Sequence, residues 1–140
     1  MKERFLMKDV QPEAFNAMLA LEKYLTTTAI EPLHQELIRI RASQLNGCAY
    51  CIDVHTKDAR KLGETEQRLY LLNAWRESPQ FTDAERIILA ITEEVTHISH
   101  HGLSSDTYQK AVEHFGLETT AQLIVHAAFA HAAQSERGHV

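Results

Sequence analysis

Apolar side chains recur along this chain at the three- and four-residue spacing of amphipathic helices, while the period-two alternation of strands is scarce. The first such stripe, Phe15, Met18, Leu19 and Leu21, predicts a helix over residues 11–25. Pro32 suits the first turn of a second helix, which runs to Leu45 and stops at Asn46-Gly47, a C-terminal cap. A third helix begins near Cys48 and ends at Leu62-Gly63, and a fourth, over about 65–76, carries Leu69, Leu71, Leu72 and Trp75. Glu77-Ser-Pro-Gln-Phe81 reads as a loop. Thr82-Asp-Ala-Glu85 then has the form of a capping box, whose hydroxyl and carboxylate satisfy amides left free at a helix start. The helix it opens carries Ile87, Ile88, Ile91, Val95 and Ile98 on one stripe. A short helix over 104–115 ends at Gly116, and a last helix over about 118–134 is apolar nearly all round. Such a helix belongs in a core or under another subunit. The expectation is an all-α fold of about seven helices in a single domain spanning residues 1–140.

Length and composition agree. A chain of 140 residues with 44% apolar and 24% charged residues is long enough to bury roughly 70% of its unfolded surface. A formal net charge of −5 gives no electrostatic reason to expect nucleic acid or an anionic membrane as partner. No apolar run approaches the roughly 20 residues needed to span a bilayer. The opening Met1-Lys-Glu-Arg-Phe-Leu-Met-Lys8 lacks the apolar core of a secretory signal, so a cytoplasmic location is expected. In that reducing setting a close cysteine pair points to catalysis or metal binding rather than to a structural staple.

Both cysteines of the chain lie two residues apart, in Cys48-Ala-Tyr-Cys51, and His55 follows one helical turn later. Cys51 and His55, at i and i+4, share a helix face, where imidazole can raise the thiolate fraction of the sulfur. Glu36 lies on the preceding helix. The short Asn46-Gly47 link sets the two helices side by side and antiparallel. At 1.5 Å per residue, Glu36 is ~16 Å and His55 ~12 Å from the turn, near the same level. Leu33 and Ile40 flank Glu36 on its face, and Ala59 and Leu62 continue the face of Cys51, so both faces are expected to point inward. An inward carboxylate needs a partner, and His55 is within reach. The result is the order of covalent catalysis: Glu36 orients His55, which takes the proton of Cys51. Cys48, nearer the helix N-terminus, has its own route to a thiolate through the helix dipole. Spacing therefore leaves open which sulfur attacks, the other resolving the sulfenic acid into a disulfide.

Other polar residues have plainer readings. A zinc site on the cysteine pair would need two further ligands, drawn from His55, His97, His100, His101 or His131. No second ligand pair stands at zinc spacing, and no metal or cofactor is expected. His97, His100 and His101 read as a helix-end cluster favoured by the local dipole. His126 and His131 read as hydrogen-bonded core or interface residues, Trp75 as core, and Arg39 and Arg41 as side chains reaching solvent.

The stretch from Glu36 to His55, with eleven residues between the glutamate and the CxxC and three between the CxxC and the histidine, resembles the alkyl hydroperoxidase D-like branch of the carboxymuconolactone decarboxylase family. Leu62-Gly63 and the Thr82-Glu85 helix start extend the likeness over roughly residues 30–98. The resemblance implies an all-helical fold assembling as trimers or hexamers. It implies thiol-dependent peroxidase activity in which Cys51 attacks the hydroperoxide, Cys48 resolves, and His55 and Glu36 relay the proton. It also implies re-reduction by a dithiol, such as a thioredoxin-like or lipoyl donor. The decarboxylase branch does not use this cysteine pair. One departure stands at Tyr50, where described members carry a relay histidine. A phenol is no base at neutral pH, though it can donate a hydrogen bond to bound substrate, and Tyr50 is the expected substrate-binding residue. Two other uses of the same pair fit the residues: a non-enzymatic redox-sensing or structural oligomer, and thiol–disulfide exchange on proteins.

Overall fold

The computed structural model describes residues 5–133. Among them the secondary structure is entirely helical: α1 (Met7–Val10), α2 (Pro12–Leu25), α3 (Pro32–Asn46), α4 (Ala49–Lys61), α5 (Glu66–Leu71), a 3₁₀ turn (Leu72–Ala74), α6 (Asp83–Thr96), α7 (Ser105–Phe115) and α8 (Leu117–Ala132). The all-α expectation holds, with eight α-helices among the described residues instead of about seven. The additional helix is the single turn α1, too short to leave a periodic signal. The expected end of the last helix, Gln134, lies outside the described residues.

Helix α3 is the hub, packing against α4, α6 and α8, while α6 also meets α8 and α7. It can do so because apolar residues face two ways from it. Ile38 and Ala42 enter one core with Ile88, Ile91, Leu123 and Ala127. Leu37 and Ile40 enter a second core with Ala59, Leu72, Trp75, Phe81 and Leu89. Each fully buried Leu or Ile at this junction contributes roughly 1.5–3 kcal/mol by leaving water. None of the helices is long and apolar enough to cross a membrane.

Local chemistry sets the boundaries. Pro12 and Pro32 begin their helices, where a missing N–H costs nothing. At the far end of α3, Gly47 adopts a left-handed φ of 67°, donating its amide to Gln44 and Ser43 carbonyls. Nothing stands within 4 Å of where a Cβ would sit. The demand for glycine is thus conformational, at about 1–2 kcal/mol for another residue. Thr82 and Glu85 form the expected reciprocal capping box at the start of α6.

Two expectations are corrected. The helix expected over 65–76 breaks after Leu71 into the 3₁₀ turn, which swings Trp75 inward so that its indole Nε1–H donates to Glu93 at 2.8 Å. Leu62 does not continue the inward face of α4; as the C-cap it lies half exposed, while Ala59 is buried. Within the chain, helix α8 buries Leu123, His126, Ala127 and Ala130 and turns Val125 and Ala128 outward, so of the two places expected for it the core of this chain takes one face.

Candidate active site

Gly47 returns the chain on itself so that α4 runs back along α3, and Cys48 becomes the N-cap of α4. Its Sγ accepts the backbone N–H of Cys51 at 3.3 Å, and the two cysteines are joined as a disulfide. Cys51 is 1% exposed, whereas Cys48 is only partly buried. The difference follows from position: Cys48 caps the helix end, while Cys51 sits one turn in, on the face toward α3.

One turn beyond Cys51, the imidazole of His55 meets Glu36 across the α3–α4 seam, Nδ1 to Oε2 at 2.9 Å. The hydrogen bond expected from the two helix depths is present. Because a carboxylate only accepts, Nδ1 carries the proton, and Nε2 of a neutral imidazole is left with a free lone pair. The other oxygen of Glu36, Oε1, receives the guanidinium of Arg39, one turn along α3. Glu36 is 6% exposed, so this buried charge has a partner on each oxygen.

The side chains around Cys51 come from four helices. Arg39 and Ser43 on α3, Cys51 and His55 on α4, Phe129 and Ala130 on α8 with Ala133 at its C-cap, and Glu22 on α2 line one recess of about 30 Å³. Tyr50 points elsewhere: it is 54% exposed and does not line this recess. Arg39, expected to reach solvent, instead lines the recess and pins Glu36. Arg41, also expected in solvent, is buried, because Glu93, Asn73 and Gln44 accept its hydrogen bonds, each at 2.9 Å. Burial alone would raise the pKa of the Glu93 carboxyl. Hydrogen bonds from Trp75 and Arg76 and the charge of Arg41 outweigh that and hold it below the usual range.

Sequence spacing could have found Arg39 and Ser43, which follow Glu36 at i+3 and i+7 on the same face of α3. Phe129, Ala130 and Ala133 gave no local signal, since they enter from a helix more than seventy residues further along the chain. The histidines resolve individually. His97 and His100 stack with ring centroids 4.9 Å apart, and His131 pairs with Asn46 at 3.2 Å. His126 is buried with Nε2 at 3.2 Å from both the Leu25 carbonyl and Thr28 Oγ1. Its pKa falls to about 4 because burial disfavours the imidazolium, as does the charge of Arg39. A divalent cation would find Glu36, His55 and Asp58 with ligand atoms all within 4.8 Å of one another. It would have to displace Arg39 from Glu36 and Lys61 from Asp58 to use them.

Residues 12–94 match the carboxymuconolactone decarboxylase family, a span reaching further toward the N-terminus than the motif resemblance did. The chain belongs to that family. Its fold is alkyl hydroperoxidase D-like. It superposes on the crystal structure of ATU0492 from Agrobacterium tumefaciens with a TM-score of 0.89, at 36% identity, covering 95% of this chain and 91% of that one. That protein is described as of unknown function and as a candidate antioxidant defence protein AhpD. The uncharacterized protein YdfG of Bacillus subtilis is 40% identical over 125 residues, covering 89% of this family member and 85% of YdfG. The uncharacterized protein YnjA of Escherichia coli is 32% identical over 65 residues, 46% of this chain and 35% of YnjA.

Proposed function

We propose that this family member is a thiol-dependent peroxidase of the antioxidant type, with Cys51 as the attacking sulfur. The observation that carries the reading is the 2.9 Å bond from His55 Nδ1 to buried Glu36, on a histidine sharing a recess with Cys51. Glu36 holds the imidazole in the tautomer whose Nε2 can take a proton, and its charge stabilises the imidazolium that results.

In the reduced protein Nε2 takes the Cys51 proton. The thiolate attacks the terminal oxygen of the hydroperoxide, the O–O bond breaks, and the departing alkoxide or hydroxide takes the proton from His55. Cys51 is left as a sulfenic acid, oxidised by two electrons. Cys48 lies at the N-terminus of α4, where the dipole favours its thiolate. It attacks Cys51 Sγ, the S–O bond breaks, and the oxygen leaves as water once protonated, giving the Cys48–Cys51 disulfide. Re-reduction takes an external dithiol, of thioredoxin-like or lipoyl type. The more exposed Cys48 is the accessible sulfur for its attack, with Cys51 leaving as a thiolate toward His55. The described likeness of ATU0492 to an antioxidant defence protein supports the same reading. Assembly into a homo-oligomer, a trimer or hexamer, is part of the proposal, supported by the exposed Leu19, Leu21 and Tyr24 on α2.

The test is peroxide consumption by the reduced protein with dihydrolipoamide as donor. Multiple turnovers are expected, abolished in Cys51→Ser and slowed about 10²-fold or more in His55→Gln, the contribution typical of a positioned base. Equal consumption by Cys48→Ser and Cys51→Ser would overturn the assignment. A single stoichiometric oxidation without turnover, with this and with a thioredoxin-type donor, would make the pair a redox switch instead of an enzyme centre.

A further inference from the structure

Three arginines packed against the helices each meet three acceptors. Arg41 donates to Glu93, Gln44 and Asn73, and Arg68 to Glu64, Glu85 and the Gln80 carbonyl. Arg86 donates to the carbonyls of Phe81, Arg76 and Ser78. Arg39 is as well covered, its side chain 17% exposed against 10% for Arg41 and 19% for Arg68. Yet among the described residues it meets one acceptor, Oε1 of Glu36, through Nη1. A guanidinium carries five N–H donors in a planar fork, so those on Nε and Nη2 are left for another acceptor. Their position gives them a use. Oε2 of the same carboxylate holds His55 Nδ1, so guanidinium and imidazole sit side by side on one group, and both line the recess that holds Cys51. None of these anchors involves a sulfur, so they do not depend on the disulfide. The charge of Arg39 reaches the neighbouring helices. On α8 it adds to burial in pushing His126 down to about 4. On α4 the Lys61 hydrogen bond, with the charges of Lys61, His55 and Arg39, holds Asp58 below the usual carboxylate range.

We propose that Arg39 is a further catalytic residue: its unused N–H donors bind the hydroperoxide at Cys51 and stabilise the oxygen that leaves when the O–O bond breaks. This rests on the peroxidase reading above. The reaction balances as already written. The Cys51 thiolate takes the terminal oxygen, the O–O electron pair goes to the departing hydroxide or alkoxide, and its proton comes from His55. Arg39 gives up no proton, because a guanidinium stays charged throughout. It supplies charge-assisted hydrogen bonds to an oxygen whose negative charge grows in the transition state. The same charge favours the thiolate of Cys51. Among the described residues lining the recess, Arg39 is the one permanent cation. The ionisable groups around it are Glu36 on α3, Glu22 on α2, His55 and Asp58 on α4, the latter paired with exposed Lys61, and His126 on α8. Hydrogen peroxide and organic hydroperoxides both carry the O–O group that the fork would hold, so the role is common to both.

The experiment uses the full chain, reduced and freed of reductant. Loss of free thiol on mixing with hydrogen peroxide is followed from about pH 5 to 10 in the parent, Arg39→Gln and Arg39→Lys. Glutamine removes the charge while remaining a good helix former, and Arg39→Met, equally uncharged, replaces it if that variant does not fold. Removing a nearby positive charge makes the site give up its proton later, so the pH of half-maximal rate is expected to rise by about one unit. At the high-pH plateau Cys51 is already ionised and the relay has no proton left to take, so a mere prop for Glu36 would no longer matter there. A deficit of about tenfold is still expected, below the roughly 10²–10³-fold for a lost oxyanion donor because water reaches the recess. Below the midpoint the two effects multiply to about 10²-fold. Arg39→Lys, which keeps the charge and loses the fork, is expected to recover most of the rate and the parent midpoint. An uncharged variant within about threefold of the parent at every pH overturns the assignment of Arg39 and leaves peroxidase chemistry standing. So does a loss confined to low pH and shared equally by the lysine variant, which would make Arg39 a support for Glu36 alone. No oxidation of the parent by peroxide overturns both readings together.

Discussion

Replacing Glu36 with glutamine separates the two jobs of its carboxylate, because an amide of the same shape can serve only one of its two partners. The native Oε2 accepts from His55 Nδ1 at 2.9 Å, and Oε1 accepts from Arg39. If the glutamine carbonyl faces His55, its NH₂ confronts the guanidinium, donor against donor. If the carbonyl faces Arg39, the NH₂ confronts Nδ1, and the imidazole proton must move to Nε2, where the lone pair for Cys51 was. Either way one charge-assisted hydrogen bond is lost, worth about 1.5–3 kcal/mol. The side chains of Arg39 and His55 keep 17% and 18% exposure, enough for water to reach the abandoned partner. The lower half of that range applies, about 2 kcal/mol. For a chain of this size it corresponds to a fall in Tm of roughly 6–8 °C. The rate consequence is larger. With either the tautomer or the compensating charge gone, oxidation of Cys51 by hydrogen peroxide should slow about 10²-fold. Thermal unfolding of the reduced protein and quenched-flow thiol titration measure the two effects. Asp53→Asn on the outer face of α4, removing an exposed pair with Lys57, serves as control and should change stability by less than about 1 kcal/mol. Oxidation of Glu36→Gln within twofold of the parent rate would refute the claim that this carboxylate sets the base.

Two further outcomes follow from groups away from the cysteines. Glu93→Gln leaves Arg41 inside the structure without its counter-charge and weakens the hold on Arg76 and the Trp75 indole; a loss of about 3–5 kcal/mol is expected in urea titrations. An effect below about 1 kcal/mol would show that the network is incidental. His126 is held neutral in the folded protein, with a pKa of about 4 against an ordinary value of 6.5, so between those values the unfolded chain binds the extra proton. Its contribution is therefore complete above pH 6.5 and is lost as pH falls toward 4, amounting to on the order of 3 kcal/mol. His126→Gln should flatten the stability profile across that window; an unchanged slope would contradict the assignment.

The parts of this structure that local sequence could reveal are those settled within one or two turns of chain. Pro32, Gly47 and the Thr82–Glu85 capping box mark helix ends by backbone chemistry alone. The antiparallel α3–α4 pair made the Glu36–His55 bond calculable from residue counts. Arg39 and Arg41 were misread because an arginine in a helix looks solvent-facing until its acceptors are known. Those of Arg41 include Glu93, fifty-two residues away. Leu62 failed for the opposite reason: the helix ends at Lys61, so extending its face by periodicity lost its meaning one residue too late. The walls of the Cys51 recess from α8 and α2 arise only on packing, which is why the cysteine pair was legible as chemistry but the side chains that surround it were not.

The most direct test of the central claim is to trap the intermediate. Reduced Cys48→Ser protein, which cannot form the disulfide, is treated with one equivalent of hydrogen peroxide in the presence of dimedone and mapped by mass spectrometry. The account predicts one dimedone adduct, on Cys51, whose formation slows when His55→Gln is added. No adduct on Cys51, together with ready labelling of Cys48 in Cys51→Ser, would contradict it and make the exposed sulfur the one that meets peroxide.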